Sequence, residues 1–398
     1  MIDTQVPVVD TQVPAVVVFR GRQSYGPLAI ARTLGRLGVS VYPVAPENTA
    51  LSPVFSSRYW EDRTLWDFFE RPELDSVELL RDVGSKLAKK HGSHPILFTT
   101  NDWVAIFFER HSEALADYFQ FPRPASSIVG RLLNKWDMHV LATQHDIPTP
   151  VTVQPTSRAE IDEFAARTGF PLVVKAADPF LPAPENTIAR SQPELDDAIE
   201  EAVSRETWNF VLQEHIPGGV DNVWMCNGYF GRDDGHGVVF TGKKLRQLSS
   251  MGTASLAEVE SNDTVASQTY RFMTALGYRG CCGVGWRHDV RDGTYKVLDV
   301  NARVSSVFRL FTGANGLDVV RLCYQDLSGQ PMGDTAAQDG RKWLDERDLR
   351  AVFPSRGEDR VSVREWVKSV RGVQELHWLA RDDLGPFRAW LRGKVFRR

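Results

Sequence analysis

No stretch of this 398-residue sequence approaches the roughly 20 consecutive apolar residues of a membrane-spanning helix, so no such span is expected. The first residues, MIDTQVPVVDTQVP, are neither basic nor apolar enough for a secretory signal, and a cytoplasmic protein is expected. Cysteine is scarce. Cys226, Cys281, Cys282 and Cys323 follow neither metal-site nor disulfide-framework spacing, which suits a reducing compartment. The nine histidines include no H-E-x-x-H. An excess of positive charge is also missing: the formal charge of −4 argues against a generally basic nucleic-acid binder. With 42% apolar and 25% charged residues, the chain has enough apolar content to fold and enough length for two or three domains.

Two familiar nucleotide motifs are absent. GVVFTGKK (237–244) fits G-x-x-x-x-G-K, but Lys244 stands where a phosphate-binding loop needs Ser or Thr, and the segment lies between two strands. The early loop RGRQSYGP is not G-x-G-x-x-G. Glu47, near the end of the second strand, is all that keeps a nicotinamide-binding first domain open.

The segments that remain are well patterned. DTQVP occurs at 3 and again at 10, too short a repeat for a solenoid, and 1–13 reads as a disordered leader. AVVVF (15–19), a loop, the helical LAIARTLGRLG and the strand VSVYPV make a βαβ unit, hence a parallel sheet. PILFTT (95–100) joins that sheet, and its polar end, Thr99 to Asp102, is placed to face a ligand crevice. After a boundary near FPRPASS come a helix in NKWDMHVLATQHDIPTP and a second helix begun by a Ser157–Glu160 capping box. The strand PLVVK, a further helix and the strand VLQEHIPGG follow. Two antiparallel strands, an amphipathic helix and a hairpin around Asp292-Gly293 come next, ending in VLDVNARV. From Arg341 onward, 15 Arg and Lys face 9 Asp and Glu, with Trp343, Trp366, Trp378 and Trp390 among them. This tail could lie on an anionic membrane surface or pack its tryptophans back on the body.

Asp299, Asn301 and Arg303 fall two apart in a strand, so they share a face, with Leu298, Val300 and Ala302 on the other. A carboxylate beside an amide oxygen suits Mg²⁺, which takes one or two protein oxygens and fills its shell with water and phosphate. Arg303 is then placed to stabilise a transferring phosphoryl group or a carboxylate. A buried ion pair or a solvent-facing strand end would produce the same pattern. Lys175 ends an apolar strand and Lys135 opens a helix, where a cation opposes the helix dipole unless a phosphate is near; ordinary surface lysines remain the plain alternative. Gln213, Glu214, His215 and Ile216 end a strand whose exposed backbone groups suit an adenine edge, or merely end a strand.

In this order, NKWDMHVLATQHDIPTP, PLVVK, VLQEHIPGG and LDVNAR resemble the signatures of the ATP-grasp superfamily, from about 14 to 331. Within it the chain is most similar to predicted carboxylate–amine ligases, like D-aspartate ligase and more distantly D-alanine–D-alanine ligase. The resemblance implies an α/β and α+β chain: a Rossmann-like domain (14–124), two α+β subdomains clamping ATP (125–208 and 209–335), and a basic, Trp-containing extension (336–398). It implies ATP and Mg²⁺ as cofactors and small carboxylate and amine substrates, possibly amino acids. It implies no nucleic acid, and a homodimer is admitted. Lys135 and Lys175 would contact phosphates, Gln213 to Ile216 the adenine, Asp221 the ribose, and Asp299 with Asn301 the metal. Arg303 and, on its strand, Arg246 would act on the transferring group.

Three departures qualify this. The family's additional carboxylate is replaced by Gly283 and Gly285, leaving Asp289 as the nearest substitute. Asp299 stands where Glu is usual, and the loop after Lys175 contains no glycine. The expected activity is ATP-dependent ligation through an acyl phosphate. An ATP-binding regulatory or partner-binding protein with lost turnover is the alternative.

Overall fold

A computed structural model describes residues 11–20, 25–49, 51–124, 127–232, 237–248, 252–333, 335–352 and 361–395. Most of the expected leader (1–10) and much of the RGRQSYGP loop (21–24) lie outside the described residues.

The first layer holds β1 (Ala15–Val18), α1 (Tyr25–Gly35), β2 (Val41–Ala45), β3 (Thr64–Leu65), α2 (Glu73–His91), β4 (Ile96–Thr99), α3 (Asp102–Arg110) and α4 (Ser112–Leu115). Its four strands are parallel in the order β3-β2-β1-β4. All four residues of β1 are fully buried, because helices cover both faces of a parallel sheet. The Asn101 side chain accepts from the Val104 amide and starts α3 directly after β4, which places Asp102 at the carboxyl edge of the sheet.

The second layer runs through α5 (Ile128–Leu133), α6 (Lys135–Gln144), β5 (Thr152–Val153), α7 (Arg158–Thr168), β6 (Leu172–Ala176), β7 (Thr187–Ala189), α8 (Gln192–Ser204) and β8 (Phe210–Glu214). Its strands are antiparallel, in the order β5-β8-β6-β7. Ser157 caps α7 as the sequence pattern predicts, with Oγ accepting from the Glu160 amide. The Glu160 carboxylate, however, accepts from the Thr156 amide (2.7 Å), one residue before the cap.

The third layer is a seven-stranded sheet ordered β13-β12-β9-β10-β11-β14-β15. It is built from β9 (Val223–Phe230), β10 (Gly237–Gln247), β11 (Ala254–Val259), β12 (Gly280–Asp289) and β13 (Thr294–Asn301), with α9 (Asp263–Ala275) and α10 (Val319–Leu327) packed on it. The extension supplies the last two strands, β14 (Lys342–Leu344) and β15 (Val373–Leu376), besides α11 (Val363–Ser369) and α12 (Gly385–Val395). The tail is thus part of the sheet.

Acidic residues, not the basic excess, dock the tail on the first layer. Asp383 accepts from Arg32 Nε (2.9 Å) and Ser57 Oγ (2.8 Å). Asp382 takes a two-pronged bond from Arg36 and another from Tyr59. Trp343 and Trp378 are 1% exposed, Trp390 stacks on Trp378, and Trp366 Nε1 donates to Asp348. These aromatics face the body, as expected if the tail packs inward. Among the described residues no helix is long and apolar enough to cross a membrane.

Candidate active site

The site lies where β6 and β8 of the second layer face β12, β13 and β10 of the third. The Lys135 amide donates to the Ala177 carbonyl (2.8 Å), which fastens the start of α6 to the end of β6 and brings Lys135 beside Lys175. Across from them, Asp299 pairs in register with Gly285, and Asn301 with Gly283. A bulge between Gly285 and Trp286 makes Leu298 the extra residue of β13. Val297, Val300 and Ala302 are therefore the buried set, and Leu298 is only partly covered, which corrects the strict alternation expected for this strand.

The three polar residues of the motif are joined along one face. Asn301 Nδ2 donates to Asp299 Oδ2 (2.9 Å), and an Arg303 amino group donates to Asn301 Oδ1 (2.9 Å). Arg303 Nε donates to Asp102 Oδ1 (2.9 Å), so the first layer reaches the site through the polar end of β4.

Electrostatically the cluster is one-sided. Burial pushes the Asp299 carboxyl up, but Lys135, Lys175, Lys244 and the Asn301 hydrogen bond hold it below its ordinary value. Burial and then repulsion from Lys135 bring Lys175 down to about 8, against the pull of Asp299. Lys244 and Arg287 are both lowered mainly by burial. Arg287 has a buried Nε without a hydrogen-bond partner. Three lysines thus surround the Asp299 carboxylate in a partly buried cleft, and Arg287 adds its repulsion to Lys175 and Lys244, an arrangement that favours a polyanion.

Lys244 and Arg287 escaped the sequence reading. Arg287 continues the i, i+2 face of Gly283 and Gly285, a period-two signal that could have found it. Lys244 belongs to GVVFTGKK, which is not a phosphate-binding loop, and the family resemblance points to Arg246 instead. The structure separates the two. Lys244 pairs with Ala257 but Arg246 with Leu256, so a bulge turns residues two apart to opposite faces. Arg246 binds Asp348 through Nε (3.0 Å) and a terminal amino group (2.6 Å), and Ser369 Oγ (2.8 Å). Its contacts fasten the extension, and the structure does not bring it to the Asp299 cluster.

Asp289 also has other work. Its oxygens accept from Arg291 (2.6 and 2.8 Å) and pair with Lys296 (2.8 Å), which hold its carboxyl far below the ordinary range. It lies four residues along β12 from Gly285, in a network shared with Glu214. It therefore does not replace the missing carboxylate beside Asp299, and a Cβ at residue 285 would lie 2.3 Å from Asp299 Oδ1, so any side chain there would shift the Asp299 carboxylate. Among the described residues no group of three or more His, Cys, Asp or Glu is placed to hold a metal ion. The oxygens on offer, from Asp299 and Asn301, suit a magnesium ion that arrives with phosphates.

The hinge segment is held at both edges. The Glu214 amide donates to the Val151 carbonyl, and the His215 amide to Pro171. Among the described residues the Ile216 amide makes no backbone hydrogen bond. Gln213 Oε1 accepts from Lys175 Nζ (2.8 Å), linking hinge and phosphate cluster, while Glu214 pairs with Lys296 and Arg291. Asp221 is exposed at the start of β9, on the same side as Arg287.

No protein-family profile matches the chain. It is 22% identical over 327 residues to a D-aspartate ligase of Enterococcus faecium, covering 75% of this chain and 77% of that protein. It is 26% identical over 200 residues to the N-terminal section of the carbamoyl phosphate synthase large chain of Methanopyrus kandleri, 46% of this chain and 35% of that protein. Among solved structures, an L-amino acid ligase from Bacillus licheniformis superposes with a TM-score of 0.62 at 17% identity, over 83% of this chain and 79% of that one. An ADP complex of N5-carboxyaminoimidazole ribonucleotide synthetase gives 0.62 at 12% identity, over 82% and 80%. The chain has the ATP-grasp fold, and its sequence is similar to that of a D-aspartate ligase.

Proposed function

We propose that the protein is an ATP-dependent carboxylate–amine ligase. The observation that carries this reading is the group of Lys135, Lys175 and Lys244 around the single carboxylate of Asp299, with Arg287 adding its repulsion to Lys175 and Lys244. A triphosphate laid across the cleft supplies that charge. Its adenine meets the backbone of Gln213 to Ile216, and its ribose hydroxyls meet Asp221. Asp299 and Asn301 would hold Mg²⁺, which neutralises phosphate charge when bound.

A substrate carboxylate oxygen attacks the γ-phosphorus in line, ADP leaves, and an acyl phosphate forms. An amine then attacks the acyl carbon and expels phosphate. Lys135 and Lys175 position the phosphates, and Arg303, braced by Asp102, faces the developing charge. No covalent enzyme intermediate is needed, so the lack of a nucleophile motif is no obstacle. Substrates of the size of amino acids fit the kinship with an amino-acid-using ligase.

The test is ADP formation with pooled amino acids and small carboxylic acids, followed by mass spectrometry for a condensed product. A second reading, a nucleotide-binding protein with lost turnover, is favoured by Gly285, which leaves Asp299 without a second carboxylate. Saturable ATP binding without turnover on that panel would select it.

A further inference from the structure

The floor of the nucleotide cleft changes character along β12. Gly283 and Gly285 present no side chain opposite Asn301 and Asp299, and the next residue on that face, Arg287, is a half-buried cation. Two residues further on, Asp289 joins the network that Arg291 and Lys296 share with Glu214 at the hinge. Arg287 thus stands about 7 Å along the strand from the residue opposite Asp299, and as far again from the residue that marks the hinge.

The Arg287 guanidinium is held in place but not used up. One amino group donates to the Gly218 carbonyl (2.5 Å), two residues beyond the hinge. That loop is itself tight. The Gly219 amide donates to Asn222 Oδ1 (3.2 Å), and a Cβ at Gly218 would lie 2.6 Å from the same oxygen. The Nε of Arg287 is buried without an acceptor, and among the described residues its other amino group has none either. Asp221 and Asp289 attract the guanidinium, but Asp289 is committed to Arg291 and Lys296, and burial outweighs both attractions and lowers the Arg287 pKa. An anion in the cleft would offset that cost. Arg287 is felt at both ends of the cleft. Burial and then Arg287 depress His215 at the hinge, and Arg287 also repels Lys175 and Lys244 at the phosphate end.

We propose that Arg287 is the residue that binds the α-phosphate of the nucleotide. This assignment rests on the nucleotide placement proposed above. With the base at Gln213 to Ile216 and the γ-phosphate at Asp299, the ribose and the α-phosphate pass over Arg287, and of these two only the phosphate is an anion. Asp221 takes the ribose hydroxyls, and the remaining N–H groups of Arg287 donate to phosphate oxygens. The α-phosphate stays on the departing ADP, so this contact binds and orients the nucleotide without acting on the transferring group.

Calorimetric titration of the full chain with adenosine, AMP, ADP and ATP reads the contact. AMP should bind the unaltered protein at least about tenfold tighter than adenosine. Arg287→Met should weaken AMP, ADP and ATP alike, by about 10- to 100-fold, and leave adenosine within about twofold of its original affinity. An arginine that only shaped the hinge loop through Gly218 would give a variant that loses adenosine in the same proportion, and that outcome would overturn the assignment. So would AMP binding no tighter than adenosine in the unaltered protein, a comparison that stands even if Arg287→Met fails to fold. If ATP itself does not bind, the nucleotide placement falls and the assignment with it. If ATP binds and Arg287→Met leaves AMP affinity intact, the assignment alone falls.

Discussion

Lys175 gives the nucleotide cleft a pH dependence with a definite sign. In the free protein burial and Lys135 bring its pKa from 10.5 down to about 8. The folded chain therefore binds fewer protons than the unfolded chain between those values, and at this residue folding stability rises with pH across that window. A bound triphosphate reverses the cause by supplying the anion that the buried ammonium lacks, so the pKa returns toward its ordinary value and binding takes up a proton. If the return is complete, nucleotide affinity at pH 9 is about tenfold weaker than at pH 7, or about 1.4 kcal/mol. The terminal phosphate contributes little to the slope, because its last proton leaves near pH 6, about one unit below the range. Titration with a non-hydrolysable ATP analogue from pH 7 to 9 measures the effect. Lys175→Arg, which stays charged throughout, should remove most of the slope. An affinity constant across this range in the unaltered protein would refute the reasoning.

Lys244→Ala should weaken nucleotide binding about tenfold with little loss of stability, whereas Arg246→Ala should leave affinity nearly unchanged. Breaking the Arg246 pair with the buried Asp348 should instead lower unfolding stability by about 3–5 kcal/mol, read from a denaturant midpoint. Gly285→Asp should fail to restore the missing carboxylate and should raise the Mg²⁺ concentration needed for half-maximal nucleotide binding, because its Cβ would drive Asp299 from its place. Ending the chain before Gly385 should cost about 2–4 kcal/mol by uncovering Trp378, which Trp390 now stacks upon, and should leave vesicle binding at zero in both forms.

Much of the architecture was legible because each of its signals is local. The apolar run of β1, the cap at Ser157, the turn at Gly293 and the strand ends at Lys175 and Glu214 each depend on a few neighbouring residues. What escaped depends on pairing between distant strands. The bulges at Leu298 and beside Arg246 reverse a face without any change in composition, so period-two alternation puts Leu298 on one face with Val300 and Ala302, and the resemblance puts Arg246 in the site. Lys244 joins Asp299, and Arg287 joins Lys175 and Lys244, only once the third sheet is assembled. β14 is three residues long, too short for a periodic signal, and Arg32 meets Asp383 across a separation of 351 residues. Counting charge in the tail concealed that its few acidic residues hold it in place.

The acyl phosphate is the center of the account, and its oxygen atoms record it. Turnover with substrate carboxylates carrying ¹⁸O should release phosphate that contains one labelled oxygen, the atom that attacked the γ-phosphorus, and Asn301→Ala should abolish that release. Turnover that yields only unlabelled phosphate would contradict the mechanism, and saturable ATP binding with no phosphate release from any substrate pool would contradict the ligase assignment itself.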